Sequence, residues 1–305
     1  NSSSGGVAYH LAKHFVDNGV KCIGVKYDSE QHIAIADIAL NGHEIEAFRG
    51  SKYMQAFAQK AYRQVLEDKS AQRYAIFGTP CQIYAFDKYA RLLKIRDRFI
   101  LIDFFCHGCP SILLWQKHLA EVQQKVGPIK EIKFRSKRFG WHEYATEFIG
   151  EREKKATRKL DNFYFLFFED ILLNQACYHC ELRGSLSHCD IRLGDFWGID
   201  YDLYTHGVSA VIPVTSVGAK VFEQINSNLE VKEHELEDLL PAQSISRELQ
   251  IDWNKRKNLL KELVSQKTLD EIVFEYKKGC PKGKRLGFLV KGLMEYLPLK
   301  VVLLI

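Results

Sequence analysis

The fold is decided by a stretch that reads YAIFGTPC at residues 74–81, in which four apolar residues run into a tight turn that ends in a cysteine. The same pattern recurs at residues 99–106, where an apolar run broken only by Asp103 ends at Cys106. Continuous apolar runs are typical of strands in a parallel sheet that helices cover on both faces. The two stretches therefore predict an α/β protein, and their cysteines would meet if the two strands are neighbours.

The rest of the chain alternates between helical and extended patterns. Helices are predicted over residues 7–18, 51–67, 82–94, 111–125 and 219–226, and further strands over 20–27, 132–135, 144–149 and 208–214. Residues 230–276 are charged and are predicted to be mostly helical. The expected fold class is α/β, with a mainly parallel or mixed sheet flanked by helices, a cysteine-bearing insertion and a helical C-terminal part.

Composition excludes some classes of protein. The 305 residues are 46% hydrophobic, which allows a sizeable core, and the formal charge of +5 is too mild to indicate nucleic acid. The apolar C-terminal stretch is interrupted by Lys291, Glu295 and Pro298. These residues favour a packed amphipathic end over a membrane-surface anchor and argue against a transmembrane segment. Because Asn1–Gly6 does not resemble a secretory leader, a cytoplasmic location is expected.

Cysteine placement carries the strongest chemical signal. Cys81 and Cys106 each follow an apolar strand, at the edge where open parallel α/β sheets bind ligands. Cys177 and Cys180 add two thiols at a two-residue gap. Four thiolates from three segments would suit a 4Fe–4S cluster, and they would equally suit a structural zinc ion.

Other cysteines could replace one of these four ligands. Cys109 shares a two-residue gap with Cys106, Cys189 lies close to the Cys177 pair along the chain, and Cys280 is a third competitor. Cys22 lies inside a predicted strand and is expected to be part of the core.

Three turns built from small residues indicate an anion site. Ser3, Ser4, Gly5 and Gly6 precede the first predicted helix, and a helix N-terminus attracts phosphate through its N–H groups. Similar turns contain Ser51 with Lys52 and Gly78 with Thr79. Alone, each turn could be a simple helix cap. Together they suggest a long diphosphate ligand of the flavin-dinucleotide type.

Two further segments have an alternative role at such a site. Residues 194–198 read GDFWG, which is either a tight turn packed by its rings or part of a site. Residues 133–141 are basic and include Arg135, Lys137 and Trp141. They form either a solvated basic face or a contact to phosphate or to an acidic cofactor.

Six motifs occur in one order along the chain. They are SSGGV at 3–7, GSKY at 50–53, GTPCQ at 78–82, CHG at 106–108, CxxC at 177–180 and GDFWG at 194–198. In this order they resemble the coenzyme F420 hydrogenase/dehydrogenase beta-subunit family. The resemblance implies FAD and a 4Fe–4S cluster. By motif position it implies a ligand set of Cys81, Cys106, Cys177 and Cys180. Together with the three turns it places at the flavin Ser3, Ser4, Gly5, Gly6, Ser51, Lys52, Gly78 and Thr79.

The same resemblance suggests an organisation and a function. Residues 1–128 would form an α/β flavin-binding part, 129–228 the cluster-binding and second α/β part, and 229–305 a helical region, with a ferredoxin-like domain expected upstream. The expected activity is that of an oxidoreductase that passes electrons between a hydride-type small molecule, such as coenzyme F420 or an analogue, and a ferredoxin-like carrier. The alternatives are a zinc-stabilised non-redox protein and a polysaccharide-biosynthesis accessory protein on the same fold.

Overall fold

The computed structural model describes residues 2–157, 160–243 and 249–294. Its strands are β1 (Lys21–Asp28), β2 (Ile33–Ala39), β3 (Ala56–Phe57), β4 (Tyr74–Phe77), β5 (Phe99–Phe104), β6 (Glu131–Ser136), β7 (Ala145–Ile149), β8 (Glu153–Thr157), β9 (Ile191–Asp195) and β10 (Ser209–Pro213). Its α-helices are α1 (Val7–Asp17), α2 (Gln59–Glu67), α3 (Pro80–Leu92), α4 (Ile112–Val126), α5 (Asn162–Phe168), α6 (Ser216–Ile225), α7 (Leu236–Leu239), α8 (Trp253–Leu263), α9 (Leu269–Lys278) and α10 (Lys282–Met294).

The two strands that the sequence singles out, β4 and β5, lie side by side and parallel, with Tyr74 opposite Phe99 and Phe77 opposite Ile102. They form the middle of a seven-stranded sheet in the order β10-β9-β5-β4-β1-β2-β3. Strands β1 and β9 are parallel to them, whereas β2 runs antiparallel to β1 and β10 runs antiparallel to β9. Strand β3 is parallel to β2. The prediction of a mixed α/β sheet is therefore confirmed.

Helices cover both faces of this sheet because successive strand residues point to opposite sides. Ile100 and Ile102 of β5 pack with α1 and α6, whereas Leu101 packs with α2 and α3 on the other face. The apolar residues of α1 recur at helical spacing, so that Leu11 and Phe15 are both buried. Burial of the strands on both faces explains why they read as continuous apolar runs.

A second, three-stranded sheet has the order β6-β7-β8. It packs with α4, α5, α8 and α9 around an aromatic core that includes Trp115, Phe134 and Phe163. Residues 191–213 leave this unit and join the seven-stranded sheet as β9 and β10. The larger sheet therefore extends across the predicted boundary at residue 128, and the assignment of binding roles to the three ranges stays a prediction.

The second helix is shorter than predicted, since it begins at Gln59 rather than at residue 51. Helical spacing continues from Tyr53 through Ala61 to Val65, but these residues serve two different cores. Tyr53 packs edge-on against Tyr164 beside the small sheet, whereas Ala61 and Val65 pack on the large one. One straight helix cannot reach both cores, so residues 51–58 adopt a non-helical course.

Strands β2, β3, β8 and β9 were not predicted from the sequence. The prediction of helix across residues 230–276 holds for α7, α8 and α9.

Within the residues that the structure describes, no helix has the length and the hydrophobicity needed to cross a bilayer.

Candidate functional site

The site is organised by the carboxyl ends of β4, β5 and β9, which meet at one edge of the sheet because the three strands are parallel. Cys81 is the second residue of α3, directly after the turn that ends β4. Cys106 follows β5 by two residues. The neighbouring strands thus bring these two cysteines to the same edge.

Cys177 and Cys180 come from a different part of the chain and lie close to the first pair. The pKa of the Cys106 thiol is raised to about 12, first by burial and then by the negative charges of Cys81, Cys177 and Cys180. Charges that act on one another inside a protein must be near. The thiols of Cys81, Cys177 and Cys180 are therefore near enough to Cys106 to interact with it electrostatically.

A fifth thiol, that of Cys109, belongs to the same group. Its pKa is also raised to about 12, by burial and then by Cys177, Cys106 and Cys81. Its backbone N–H donates to the sulfur of Cys177 over 3.3 Å. An isolated bridge between Pro110 and Leu173 joins the same two segments. Cys109 is thus a candidate ligand by position.

The remaining cysteines lie elsewhere. Cys189 is buried, and its pKa is raised by burial and by Asp103 rather than by the other thiols. Cys280 is buried among the C-terminal helices, where its thiol contacts the carbonyl of Tyr276. Cys22 is in the core as predicted. Cys189 and Cys280 are therefore not positioned with the group.

The turn after β4 orients Cys81. Thr79 is the N-cap of α3, and the side chain of Gln82 accepts a hydrogen bond from its backbone N–H. The Thr79 hydroxyl lies 3.2 Å from the Cys81 sulfur. Gly78 extends the strand ladder by donating to the carbonyl of Ile102. The motif GTPCQ is therefore a helix start that presents one exposed thiol.

The first glycine turn lies at the N-terminus of α1, on the same edge of the sheet. Gly6 has a φ of 100°, a left-handed conformation that favours glycine. A Cβ on Gly5 would lie 2.9 Å from the backbone nitrogen of Ser209, at the start of β10. The Ser4 hydroxyl donates to the carbonyl of Val208. Small residues are required here because helix and strand backbones approach closely.

The turn at residues 50–53 meets the first turn directly. The Ser51 N–H donates to the Ser3 hydroxyl over 2.9 Å, and the two hydroxyls are 3.2 Å apart. Gly50 has a φ of 82°. Two of the three predicted anion-binding turns are thus adjacent in space.

Lys52 does not lie at the start of a helix. Because α2 begins seven residues later, the sequence-based picture of Lys52 at a helix start is wrong. Its ammonium group donates to the carbonyls of Ala47, Phe48 and Arg49, which uses all three of its hydrogens. Burial lowers the pKa of Lys52 to about 7. The residue ties the turn to the preceding 3₁₀ helix.

Arg135, in the basic stretch at residues 133–141, does not belong to a solvated face. Arg135 is buried and pairs with Asp195 at 2.7 Å. Its guanidinium lies over the ring of Tyr144, and among the described residues its Nε and Nη2 atoms have no hydrogen-bond partner. Lys137 donates to the carbonyl of Ser4 over 2.8 Å. Two cations therefore reach the edge of the sheet next to the α1 turn.

The GDFWG motif supplies side chains that contact Arg135. Gly194 and Asp195 end β9, so this part of the motif is regular strand rather than a turn. The Trp141 indole donates to Asp195 over 3.0 Å and stacks on Trp197 with ring centroids 4.5 Å apart. A Cβ on Gly194 would collide with Phe105 at 2.5 Å. The motif thus fixes an acid and an aromatic pair beside Arg135.

A buried ion pair behind the cysteines was not anticipated. Asp103 of β5 lies opposite Arg192 of β9 in the sheet, and the guanidinium donates to both carboxylate oxygens. Their side chains are 3% and 0% exposed. The only signal in the sequence was a lone Asp in an apolar strand.

Geometry at the cysteines also bears on the kind of metal centre. In the described part of the chain, no three His, Cys, Asp or Glu side chains are grouped so as to hold a single metal ion. Two surface cavities of about 520 and 400 Å³ are lined by other residues, along α2 and between α1 and α6. The candidate site is therefore defined by its thiols, turns and charges.

Comparison with known proteins gives a family match and matches to solved structures. A family model that describes the C terminus of the beta subunit of coenzyme F420 hydrogenase/dehydrogenase matches residues 71–238, more than half of the chain. No curated protein matches. A chain in the structure of the xenon-derivatised F420-reducing NiFe hydrogenase complex from Methanosarcina barkeri has a TM-score of 0.56 and 17% identity, covering 91% of this chain and 87% of that one. At this identity the likeness shows a shared fold.

Proposed function

Because this chain belongs to the coenzyme F420 hydrogenase/dehydrogenase beta-subunit family, we propose that it is an oxidoreductase that holds a 4Fe–4S cluster and FAD. Its substrate would be a small hydride donor or acceptor such as coenzyme F420 or an analogue. Its electron partner would be a ferredoxin-like iron–sulfur carrier. The single observation that carries the proposal is the convergence of thiols from three separate segments at one edge of the sheet.

The donor set fits an iron–sulfur cluster. Cys81, Cys106, Cys177 and Cys180 would each supply one thiolate, which is the four-cysteine set of such clusters. Without a cation, ionised thiols near one another repel, and after burial this repulsion is the next cause of the raised pKa of Cys106. Positive iron would remove that repulsion. Cys109 is a fifth thiol for four positions, and the hydrogen bond from its backbone to Cys177 gives it a supporting role.

The zinc alternative places a stricter demand on the same thiols. A structural zinc ion needs four ligands about 2.3 Å from one centre. No described group of candidate ligands has the arrangement of a single-ion site. In a four-iron cluster each cysteine binds a different iron, so its ligands can be farther apart. A four-iron cluster therefore requires a less compact group of thiols than a single zinc ion does.

The proposed flavin site is supported by the turns and cations on the same edge. Ser3, Ser4, Gly5, Gly6 and Ser51 surround the N-terminus of α1, where free N–H groups favour a phosphate. Gly78 and Thr79 form the turn between β4 and α3, and Thr79 caps that helix. Lys52 would act by holding the second turn in place.

Arg135 is the residue best suited to contact the rest of such a ligand. A buried guanidinium with two unfilled donors costs free energy unless an acceptor meets it. Trp141 and Trp197 present stacked aromatic surface next to it. A planar ligand with carbonyl or anionic oxygens would fill these donors.

When bound, the flavin exchanges a hydride with the substrate and single electrons with the cluster. The chain's own part is to hold and orient these groups. The sheet edge would keep the two sites close, and the aromatic residues would shield a bound planar ring system from water. The ion pair of Asp103 with Arg192 keeps β5 and β9 in register behind the cysteines.

The test is anaerobic purification followed by analysis of iron, acid-labile sulfide, zinc and flavin. We expect equal amounts of iron and sulfide, bound FAD, and flavin absorption bands over a broad cluster absorption. A colourless protein that contains zinc and no iron after anaerobic reconstitution with iron and sulfide would overturn the proposal.

A further inference from the structure

The C-terminal helix α10 is attached to the protein by one of its faces. Phe288 packs against Phe165 with ring centroids 5.4 Å apart. Lys284 forms an ion pair with Glu169 at 2.5 Å. These two contacts fix which side of α10 is turned toward the core.

The opposite side of α10 carries an apolar row. Leu286, Leu289 and Val290 follow one another at the spacing of a helix face, and they are 62%, 66% and 46% exposed. By the same spacing Lys282 and Arg285, both exposed, fall on this side. We call these five residues the α10 row. Leucine side chains exposed this far, next to one another and flanked by cations, indicate a surface that meets something else.

The helix and the residues just before it carry charges of one sign only. Residues 277–294 contain no Asp or Glu, and their basic residues are Lys277, Lys278, Lys282, Lys284, Arg285 and Lys291. We propose that the α10 row docks the protein on an anionic lipid surface, with its leucines entering the interface and its cations contacting lipid phosphates. An amphipathic helix with cations beside an apolar stripe is the pattern that binds such surfaces.

Two features favour a lipid surface over a second copy of this chain. Pairing two α10 rows would bring like charges together in an apolar contact, which costs free energy. The row also lies on the side of the helix that faces away from the core, where a flat interface can reach it. The proposal is independent of the flavin and cluster sites, because none of their residues is involved.

The experiment is co-sedimentation of the full chain with vesicles. One set contains equal amounts of phosphatidylglycerol and phosphatidylcholine, and the other contains phosphatidylcholine alone. We expect binding only to the anionic vesicles, weakened by about 0.5 M salt through screening. Because both leucines are exposed, the variant Leu286→Asp/Leu289→Asp should fold normally, which circular dichroism checks, and lose at least about tenfold in vesicle binding.

Two controls make the outcome specific. Leu92→Asp alters a leucine of α3 that is 76% exposed, and it should leave binding unchanged. Val302→Asp/Leu303→Asp alters the apolar residues that follow α10 in the sequence.

Equal binding to both vesicle types, no binding to either, or unchanged binding of the Leu286/Leu289 variant would each overturn the proposal. So would loss of binding only in the Val302/Leu303 variant. A dimer in sedimentation velocity that the Leu286/Leu289 variant dissociates would assign the row to self-association instead.

Discussion

The backbone N–H of Cys109 donates a hydrogen bond to the sulfur of Cys177 over 3.3 Å, and this contact joins two segments that are 68 residues apart. The bridge between Pro110 and Leu173 lies beside it. The segment after β5 is thereby held against the segment that carries the CxxC pair. These contacts hold Cys109 next to Cys177, although the two residues are far apart in the sequence.

Replacing the CxxC pair tests the ligand set. The variant Cys177→Ser/Cys180→Ser should lose most of its iron while it keeps much of its flavin, because the proposed flavin turns are on other segments. Iron, sulfide and flavin are measured on anaerobically purified protein. Iron content equal to that of the unchanged protein would refute the assignment.

The matched control is Cys280→Ser, which alters a buried cysteine away from the site. A serine hydroxyl can donate to the carbonyl of Tyr276 as the thiol does, so iron content should not change. Cys109→Ser separates the fifth thiol from the other four. Iron should be retained in this variant, since the hydrogen bond to Cys177 comes from the backbone.

The variant Gly5→Ala should reduce flavin occupancy. Its new methyl group would lie 2.9 Å from the nitrogen of Ser209 and 3.2 Å from the carbonyl oxygen of Gly207, so the α1 turn must move away from β10. Gly42→Ala is the control, because a methyl group there meets nothing within 4 Å. Flavin absorbance per chain after desalting is the measurement, and equal occupancy in both variants would contradict the placement.

The variant Lys52→Glu should weaken flavin binding more than Lys52→Met does. Both remove the ammonium group that holds three carbonyls. Only glutamate adds a negative charge that repels those carbonyls and a nearby diphosphate. Titration of the apoprotein with FAD measures the two dissociation constants. Identical dissociation constants for the two variants would show that Lys52 affects flavin binding only by shaping the turn.

The variant Asp103→Asn should destabilise the fold by about 3–5 kcal/mol, because it leaves the fully buried Arg192 without its charge partner. Urea unfolding measures the change in the free energy of unfolding. The double variant Asp103→Leu/Arg192→Met removes both charges and should recover much of that loss. A loss in the double variant as large as in the single variant would show that the pair is not the cause.

Local patterns predicted the central strands well, since β4, β5 and the helices next to them are buried in a regular way. They failed where the conformation or burial of a segment depends on contacts with residues far along the chain. Residues 51–58 keep helical spacing but adopt another course, because Tyr53 packs against Tyr164. The basic stretch at residues 133–141 reads as solvated, yet Arg135 is buried because Asp195, sixty positions later, neutralises it.

The sequence by itself determined the α/β class and put Cys81 and Cys106 just beyond the ends of two strands, because apolar runs and turn residues are local properties. Only the tertiary structure decided that Cys109 joins the group and that Cys189 and Cys280 do not. Distance between side chains depends on how remote segments pack, and spacing along a chain reports it only within a few residues.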